Sequence, residues 1–486
     1  MLHGNFGFNL ADEGFFWYGA KQTAKGEIPG IDFMAYEPGR YYWAALIFKA
    51  LGDDSNKAAR IASTLFGAVA YGSISCFCIS LRPAIRARRS LEAAIILPVM
   101  LSVWTFPYYR VTDVAAPGFA FIICAHQYIR RSPQSSFHTG IAIGLTMFFG
   151  RNHALYAVMA QGIILVNIFL QERGPGTARR LIVMTCAGMG IGAFPFAIIA
   201  AFRPGYPSVL LRQWLDVFRI GRTNLPLPWP LPWNTIKPGM ELGEIDGHLL
   251  TSIIFLSLFA IGIGGSLAAL FSSLNKKYVS PCFVATAAAT AGYLHYATSR
   301  SDLEHIGPAF VPLLVGIFAW GTTKPRMPFF ALTALLLYPT ARLSLRQQSA
   351  YHCIRNTIPC SQIDMRGGHL VLAPTHVANQ LSRMLKEVEG RSFMAAPAYP
   401  VLYAYTDSKS PTWDIYAATP RTDQEQYAEI ERIKNRRPQV ILLGESAFGE
   451  GVEYSKTNPV LHRYITGAYK KSGAIKGTVI VIYRRV

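Results

Sequence analysis

QERGPGTARRLIVMTCAGMGIGAFPFAIIAAF, residues 171–202, decides the fold class. Its first ten residues hold Arg173, Arg179, Arg180 and Glu172, and the next 22 hold no charge at all. An uncharged run of that length fits a helix crossing the roughly 30 Å apolar core of a bilayer, which takes about 20 residues. A charged link followed by an uncharged run recurs along the chain. Ten spans are expected, at about 58–81, 91–108, 114–129, 137–150, 152–170, 179–201, 247–271, 280–297, 305–320 and 327–345. The sequence therefore predicts an α-helical polytopic membrane protein of about ten spans with a small C-terminal α/β soluble domain.

The bulk numbers agree with this reading. Of 486 residues, 51% are hydrophobic and only 15% charged, which puts the chain on the membrane side of globular composition. A net charge of +19 would suggest nucleic acid in a soluble protein. Here the basic residues gather in short links between apolar runs, where lipid headgroups and topology account for them. No basic face with interleaved aromatics is present, so no nucleic-acid partner is expected. Cys76, Cys78, Cys124, Cys186 and Cys282 lie in apolar runs as small buried hydrophobes. His126 and His295 also sit within apolar runs, and read as hydrogen-bonded packing residues.

Alternate links read RPAIRARRS (82–90), RRSPQSS (130–136), QERGPGTARR (171–180), SSLNKKYV (272–279) and GTTKPRMP (321–328), with 13 Lys or Arg against the single acid Glu172. Those are the expected cytoplasmic loops. Residues 1–57, YYRVTD (108–113), Arg151 to His153, 203–246, TSRSDLEH (298–305) and the tail after 346 then face outward. Three parts follow: an outer segment 1–57 with interfacial helices, a transmembrane part 58–345 with the long outer loop 203–246, and a non-cytoplasmic α/β domain 346–486. An outward N-terminus without a preceding span leads us to expect a further helix upstream, an eleventh. GRYYWAALIFKAL (39–51) and LLRQWLDVFRIG (210–221) are amphipathic and too short to span, and read as interfacial helices; with the Pro/Trp-rich LPLPWPLPWN (225–234) the second forms a lid-like loop.

The tail alternates apolar β-like runs, HLVLA (369–373), QVILLG (439–444) and TVIVIY (478–483), with helical patterns HVANQLSRMLKEVEG, DQEQYAEIERIKNRR and NPVLHRYITGAYKKS. That alternation predicts a partly parallel sheet. No Gly-rich phosphate loop follows a strand, so no nucleotide cofactor is expected. Cys353 and Cys360 stand close together on the outer, oxidising side, where a disulfide between them is expected.

Three constellations carry candidate chemistry. Asp12 and Glu13 in NLADEGFFWYGAKQTAKGEIPG, with Glu37 in MAYEPGRYYW, place carboxylates among aromatics that limit water, the setting of a general base. Arg151-Asn152-His153 sits at an outer turn, where an arginine suits a phosphate or snorkels to headgroups. In SRSDLEHIGP (299–308), Arg300, Asp302, Glu304 and His305 cluster at the apolar boundary. There Arg300 would hold a phosphate, Asp302 orient it, and His305 donate to the leaving phosphate or the acceptor. A metal held by Asp302, Glu304 and His305, and a purely structural ion-pair knot, are the other readings. Asp113 either caps its helix or lines the same cavity as His153.

From Asp12 to Arg82 the order is an acidic pair, a helix ending in Gly, an aromatic-acid-Pro turn, a Tyr/Trp helix, KALGDDSNKAARIAS and then a span. This resembles the first outer loop of the GT-C superfamily, the polyprenyl-phosphate-sugar-dependent glycosyltransferases that include protein O-mannosyltransferases and lipid A aminoarabinose transferases. The resemblance implies Asp12 as catalytic carboxylate with Glu13 beside it, Glu37 as the second acidic position, and Arg151 as a donor-phosphate ligand. It also implies an inverting transfer, on the outer face of a bacterial-type inner membrane, from a polyprenyl-phosphate-linked donor to an acceptor glycan, lipid or protein. No cofactor is required by this chemistry; a divalent metal stays open. A ligase using a lipid-pyrophosphate donor and a flippase of lipid-linked sugars are the alternative functions.

Overall fold

The structure is a computed structural model that describes residues 4–81, 87–105, 107–172, 175–220, 227–322, 326–365, 368–417, 419–445 and 453–485. Parts of the links 82–90, 171–180 and 321–328, and of the outer-loop segments 210–221 and 225–234, lie outside the described residues. The chain divides into two compact units, one made of Met1–Ser63, Tyr206–Arg222 and Ser349–Val486, the other of Thr64–Gly205 and Thr223–Gln348.

The second unit is a helical bundle. Asn56–Ser80, most of which belongs to it, Arg151–Glu172, Gly176–Phe202, Leu242–Leu274 and Leu303–Thr322 are each long and apolar enough to cross a membrane; the broken pair Ala94–Trp104 and Tyr108–Arg130 would make a sixth. The helices Pro133–Phe149, Pro281–Ser299 and Arg326–Pro339, expected as spans, have 17, 19 and 14 residues and do not meet that measure. Each of the ten apolar runs nonetheless falls on helix. Small residues let these helices approach closely. Gly140 and Gly144 on one helix meet the backbone of the Pro175–Gly192 helix, and a Cβ at Gly188 or Gly192 would collide with the backbone of Pro133–Phe149. The Pro281–Ser299 helix buries Ala285, Ala287, Ala288 and Ala289 at the centre of the bundle. Ile182, Val183, Ile191 and Ile198 on the helix Gly176–Phe202 remain exposed, an apolar face suited to lipid.

The first unit is built on six strands: β1 (Cys360–Met365), β2 (His369–Pro374), β3 (Phe393–Ala396), β4 (Val440–Leu443), β5 (Tyr469–Ala474) and β6 (Val481–Arg485). β1 and β2 form an antiparallel pair; the second sheet runs β3-β4-β6-β5, with β3 parallel to β4 and the other pairings antiparallel. Amphipathic helices cover it, Asp423–Arg436 burying Ile430 and Ile433, and Pro459–Ala468 burying Leu461 and Ile465. Two expectations from the sequence are corrected. The helical reading of 458–472 stops at Ala468, because Tyr469 to Ala474 leave as edge strand β5, and the strand expected at 478–483 begins at Val481. Cys353 and Cys360 are disulfide-bonded, with Cα atoms 5.7 Å apart.

The N-terminal residues belong to this same unit. The Leu372 carbonyl on β2 accepts from Gly7 N–H at 2.8 Å and its N–H donates to the Asn5 carbonyl at 2.7 Å, a short parallel addition to the sheet edge. Lys21, buried in the helix Asp12–Ala24, meets Asp407 at 3.0 Å and Asp54 at 3.2 Å.

Candidate functional site

In the first unit the acidic pair opens a helix. Asn9 Oδ1 accepts from the N–H groups of Ala11 (2.9 Å) and Asp12 (2.8 Å), fixing where the helix Asp12–Ala24 begins. Carboxylates in a first turn are favoured by the helix dipole. Successive helical residues point about 100° apart, so the two acids take different surroundings. Glu13 turns inward and is 2% exposed. Its Oε1 accepts from Asn56 Nδ2 at 2.7 Å and from Arg60 Nη2 and Nε at 2.8 and 3.0 Å. Arg60, equally buried, donates its Nη2 to the Gly7 carbonyl at 2.6 Å. Glu13 is thus a structural anion locked to one cation.

Asp12 turns outward, half-buried, and its Oδ1 accepts a hydrogen bond from the Tyr416 hydroxyl. Phe15 stands with ring centroids 5.1 Å from Tyr36 and 5.0 Å from Tyr416, giving the carboxylate an aromatic wall. Asp12, Glu37, Arg40 and Arg421 all act electrostatically on the Tyr36 hydroxyl. Glu37 is half-buried in the turn before the helix Gly39–Leu51.

The loop that carries Tyr416 is held by Glu429, which accepts from the N–H groups of Trp413 (3.0 Å) and Asp414 (3.2 Å) and from Arg432 Nη1 (2.9 Å). Burial outweighs these stabilising bonds and pushes the Glu429 carboxyl up to about 7. A raised carboxyl binds its proton more tightly in the folded state. Its stabilising contribution is therefore complete below the ordinary carboxylate value of about 4.3 and is lost as pH climbs through 7. Thermal unfolding followed from pH 4.5 to 8 is expected to show this decline in the wild-type chain and a flatter profile in Glu429→Gln; parallel profiles would refute the assignment.

In the second unit four helix ends meet around Arg110. Its Nε donates to Asp113 at 2.9 Å, its Nη1 to Glu304 at 2.8 Å and its Nη2 to the Tyr296 hydroxyl at 3.2 Å. His153, 4% exposed in the first turn of Arg151–Glu172, lies 3.1 Å from Asp113 through Nε2 and 3.2 Å from the Tyr293 hydroxyl through Nδ1. Asp302 pairs with Arg300 and lies 2.6 Å from His305 Nδ1. Burial opposes its charge, yet these two partners hold the Asp302 carboxyl below its usual range. The His305 ring packs 5.2 Å from that of Tyr296, joining the two groups. Asp113, His153, Arg300, Asp302, Glu304 and His305 therefore gather in one polar cluster. Arg151 is half-buried, and the turn expected at Arg151 to His153 is Gly150 alone, between two helices.

Glu304 faces Arg110 while Asp302 faces Arg300 and His305, so the acids do not converge. Among the described residues no group of three His, Cys, Asp or Glu side chains is placed to hold a metal. The sequence reading passed over Arg110 and Tyr416. Arg110 was legible as the basic residue three before Asp113, whereas Tyr416 pairs with Asp12 across 404 positions, and no local signal marks it.

Over its full length this chain superposes on ArnT from Cupriavidus metallidurans in the apo state, with a TM-score of 0.51, 14% identity and 95% of that chain covered. This chain shares its fold with that ArnT. The undecaprenyl-phosphate-bound form of the same ArnT gives a TM-score of 0.49 at 14% identity, again over 100% of this chain and 95% of that one. An oligosaccharyltransferase from Archaeoglobus fulgidus tethered to an acceptor peptide gives 0.45 at 11% identity, over 98% of this chain and 70% of that one. No family model and no curated protein matches the sequence. At such identities the likeness speaks for the fold alone.

Proposed function

We propose that this chain is a membrane glycosyltransferase that moves a sugar from a polyprenyl-phosphate carrier to an acceptor on the non-cytoplasmic face, inverting the anomeric carbon. The observation that carries this reading is the division of labour in the acidic pair. Glu13 is fixed to Arg60, while Asp12 keeps an accessible carboxylate oriented by Tyr416 and walled by aromatics. Such a carboxylate takes the proton from an acceptor hydroxyl or amine as the acceptor attacks the sugar carbon, and the polyprenyl phosphate departs with the electrons of the broken C–O bond. The GT-C fold supports the class, and the lipid that ArnT binds suggests an undecaprenyl-phosphate-type donor.

Arg151, Arg300 and His305 are assigned to the donor phosphate. A guanidinium keeps its charge and offers a planar fork to two oxygens. Arg151→Ala or Arg300→Ala is expected to weaken donor binding at least tenfold, with Lys a partial rescue, and to leave acceptor affinity nearly unchanged. Measured with labelled donor in nanodiscs, equal losses for both substrates would mark these arginines as structural.

The proposed location is a bacterial-type plasma membrane with the tail outside the cytoplasm. Thirteen basic residues in alternate links support it, as does the Cys353–Cys360 disulfide, since such bonds persist in oxidising compartments. Alkaline phosphatase fused at residue 486 is expected to be active, and fluorescence from a reporter that matures only in the cytoplasm would reverse the topology.

A further inference from the structure

A cavity of about 330 Å³ opens within the first unit, lined by Trp413, Arg421, Glu429, Arg432 and Tyr454 and by Arg212 from the helix Tyr206–Ile220. Its size lies at the lower end of the range for small-ligand pockets. The Asp12 partner Tyr416 stands on the same loop as Trp413, and Arg421 acts on the Tyr36 hydroxyl beside Asp12. The cavity is therefore a neighbour of the proposed base.

Each of its three cations already has an acid. Arg421 Nε donates to Asp414 at 2.6 Å, Arg432 Nη1 to Glu429 at 2.9 Å, and Arg212 lies 4.0 Å from Glu425. A phosphate or carboxylate entering here would meet guanidinium groups that already sit against Asp414, Glu425 and Glu429. Directional hydrogen-bonding capacity is what remains unused. The terminal nitrogens of Arg421, whose side chain is 16% exposed, make no hydrogen bond among the described residues, and neither does the hydroxyl of Tyr454, which is 2% exposed. Met394, Ala417 and Leu461 supply an apolar floor. Arginines that already have acids beside them, an unused donor fork, an unused hydroxyl and an apolar floor together match a neutral, hydroxyl-rich ring. A pair of adjacent hydroxyls spans the guanidinium fork as two carboxylate oxygens would, without adding charge.

We infer that this cavity is an acceptor subsite for a neutral sugar residue, held by Arg421 and Tyr454 while its neighbouring hydroxyl is delivered to Asp12. The inference rests on the transferase reading, and the test separates the two. Full-length protein in nanodiscs is titrated with a neutral methyl hexoside, glucuronate and glucose 1-phosphate, following ligand NMR saturation transfer. The hexoside is expected to bind at least as well as either anion. Tyr454→Phe removes one hydrogen bond and is expected to weaken it about three- to tenfold. Ala428→Phe fills the cavity from the exposed face of the helix Asp423–Arg436 and is expected to abolish binding. Tighter binding of either anion, no hexoside binding, or hexoside binding indifferent to both variants overturns the inference. In transfer assays Tyr454→Phe should raise the acceptor KM more than it lowers kcat. Transfer that proceeds with an unaltered acceptor KM sinks the subsite alone, whereas hexoside binding in a chain that transfers no sugar sinks the transferase reading and leaves a carbohydrate site.

Discussion

Asp12→Asn is expected to lower sugar transfer by about 10² or more, the usual scale for a positioned base. Asparagine keeps the shape of the side chain and can still accept from the Tyr416 hydroxyl, so the aromatic wall and the helix start are preserved. What it cannot do is take a proton. Removing one charge from a helix N-terminus costs only about 0.3–1 kcal/mol, so thermal unfolding and donor binding should change little. Glu13 is not free to substitute, because its carboxylate is closed by Asn56 and Arg60. Labelled-donor turnover measured beside a melting curve decides the matter: a near wild-type rate would move the role of base to Glu37.

Glu13→Ala is expected to act through the fold instead. It strands the Arg60 guanidinium, which is 4% exposed and hydrogen-bonded to the carbonyls of Gly7 and Phe6. Breaking a buried pair on one side costs about 3–5 kcal/mol, because the surviving charge stays desolvated and uncompensated. Replacing both partners with apolar residues of similar volume, Glu13→Leu with Arg60→Met, should recover much of that loss. A single variant as stable as wild type would show that the pair contributes no structural support. Loss of transfer in Glu13→Ala should follow the melting curve, whereas in Asp12→Asn it should not.

The contrast shows how far a sequence can be read in this chain. Apolar runs were legible because lipid imposes a length and an absence of charge on every spanning helix, whatever its neighbours. The acidic pair was legible as a pair. Which member is buried depends on a rotation of about 100° between adjacent residues and on Arg60, neither of which the local string displays. Arg110 was legible only through Asp113 three residues on; its other two partners, Glu304 and Tyr296, come from two other helices that the local string does not show. Edge strand β5 escaped because Tyr469 to Ala474 carry exposed lysines in place of alternating apolar residues, the pattern that keeps an edge from pairing with other chains. Within 299–308, Asp302 pairs with Arg300 and His305, while Glu304 turns to Arg110, a partner 194 residues earlier that the local string does not display.

The hydrogen bond from Tyr416 to Asp12 also sets an order of assembly. Glu13 and Arg60 stand 47 residues apart and can meet early, but Asp12 must wait for a partner 404 residues downstream. At about 5–20 residues per second, roughly 20–80 s of synthesis separate the two. The edge pairing of Asn5 and Gly7 with Leu372 comes equally late. The nascent chain therefore secures its internal charge pair first and orients the Asp12 carboxylate last, so a ribosome that stalls part-way leaves a chain in which Glu13 is already closed by Arg60 while Asp12 still lacks Tyr416.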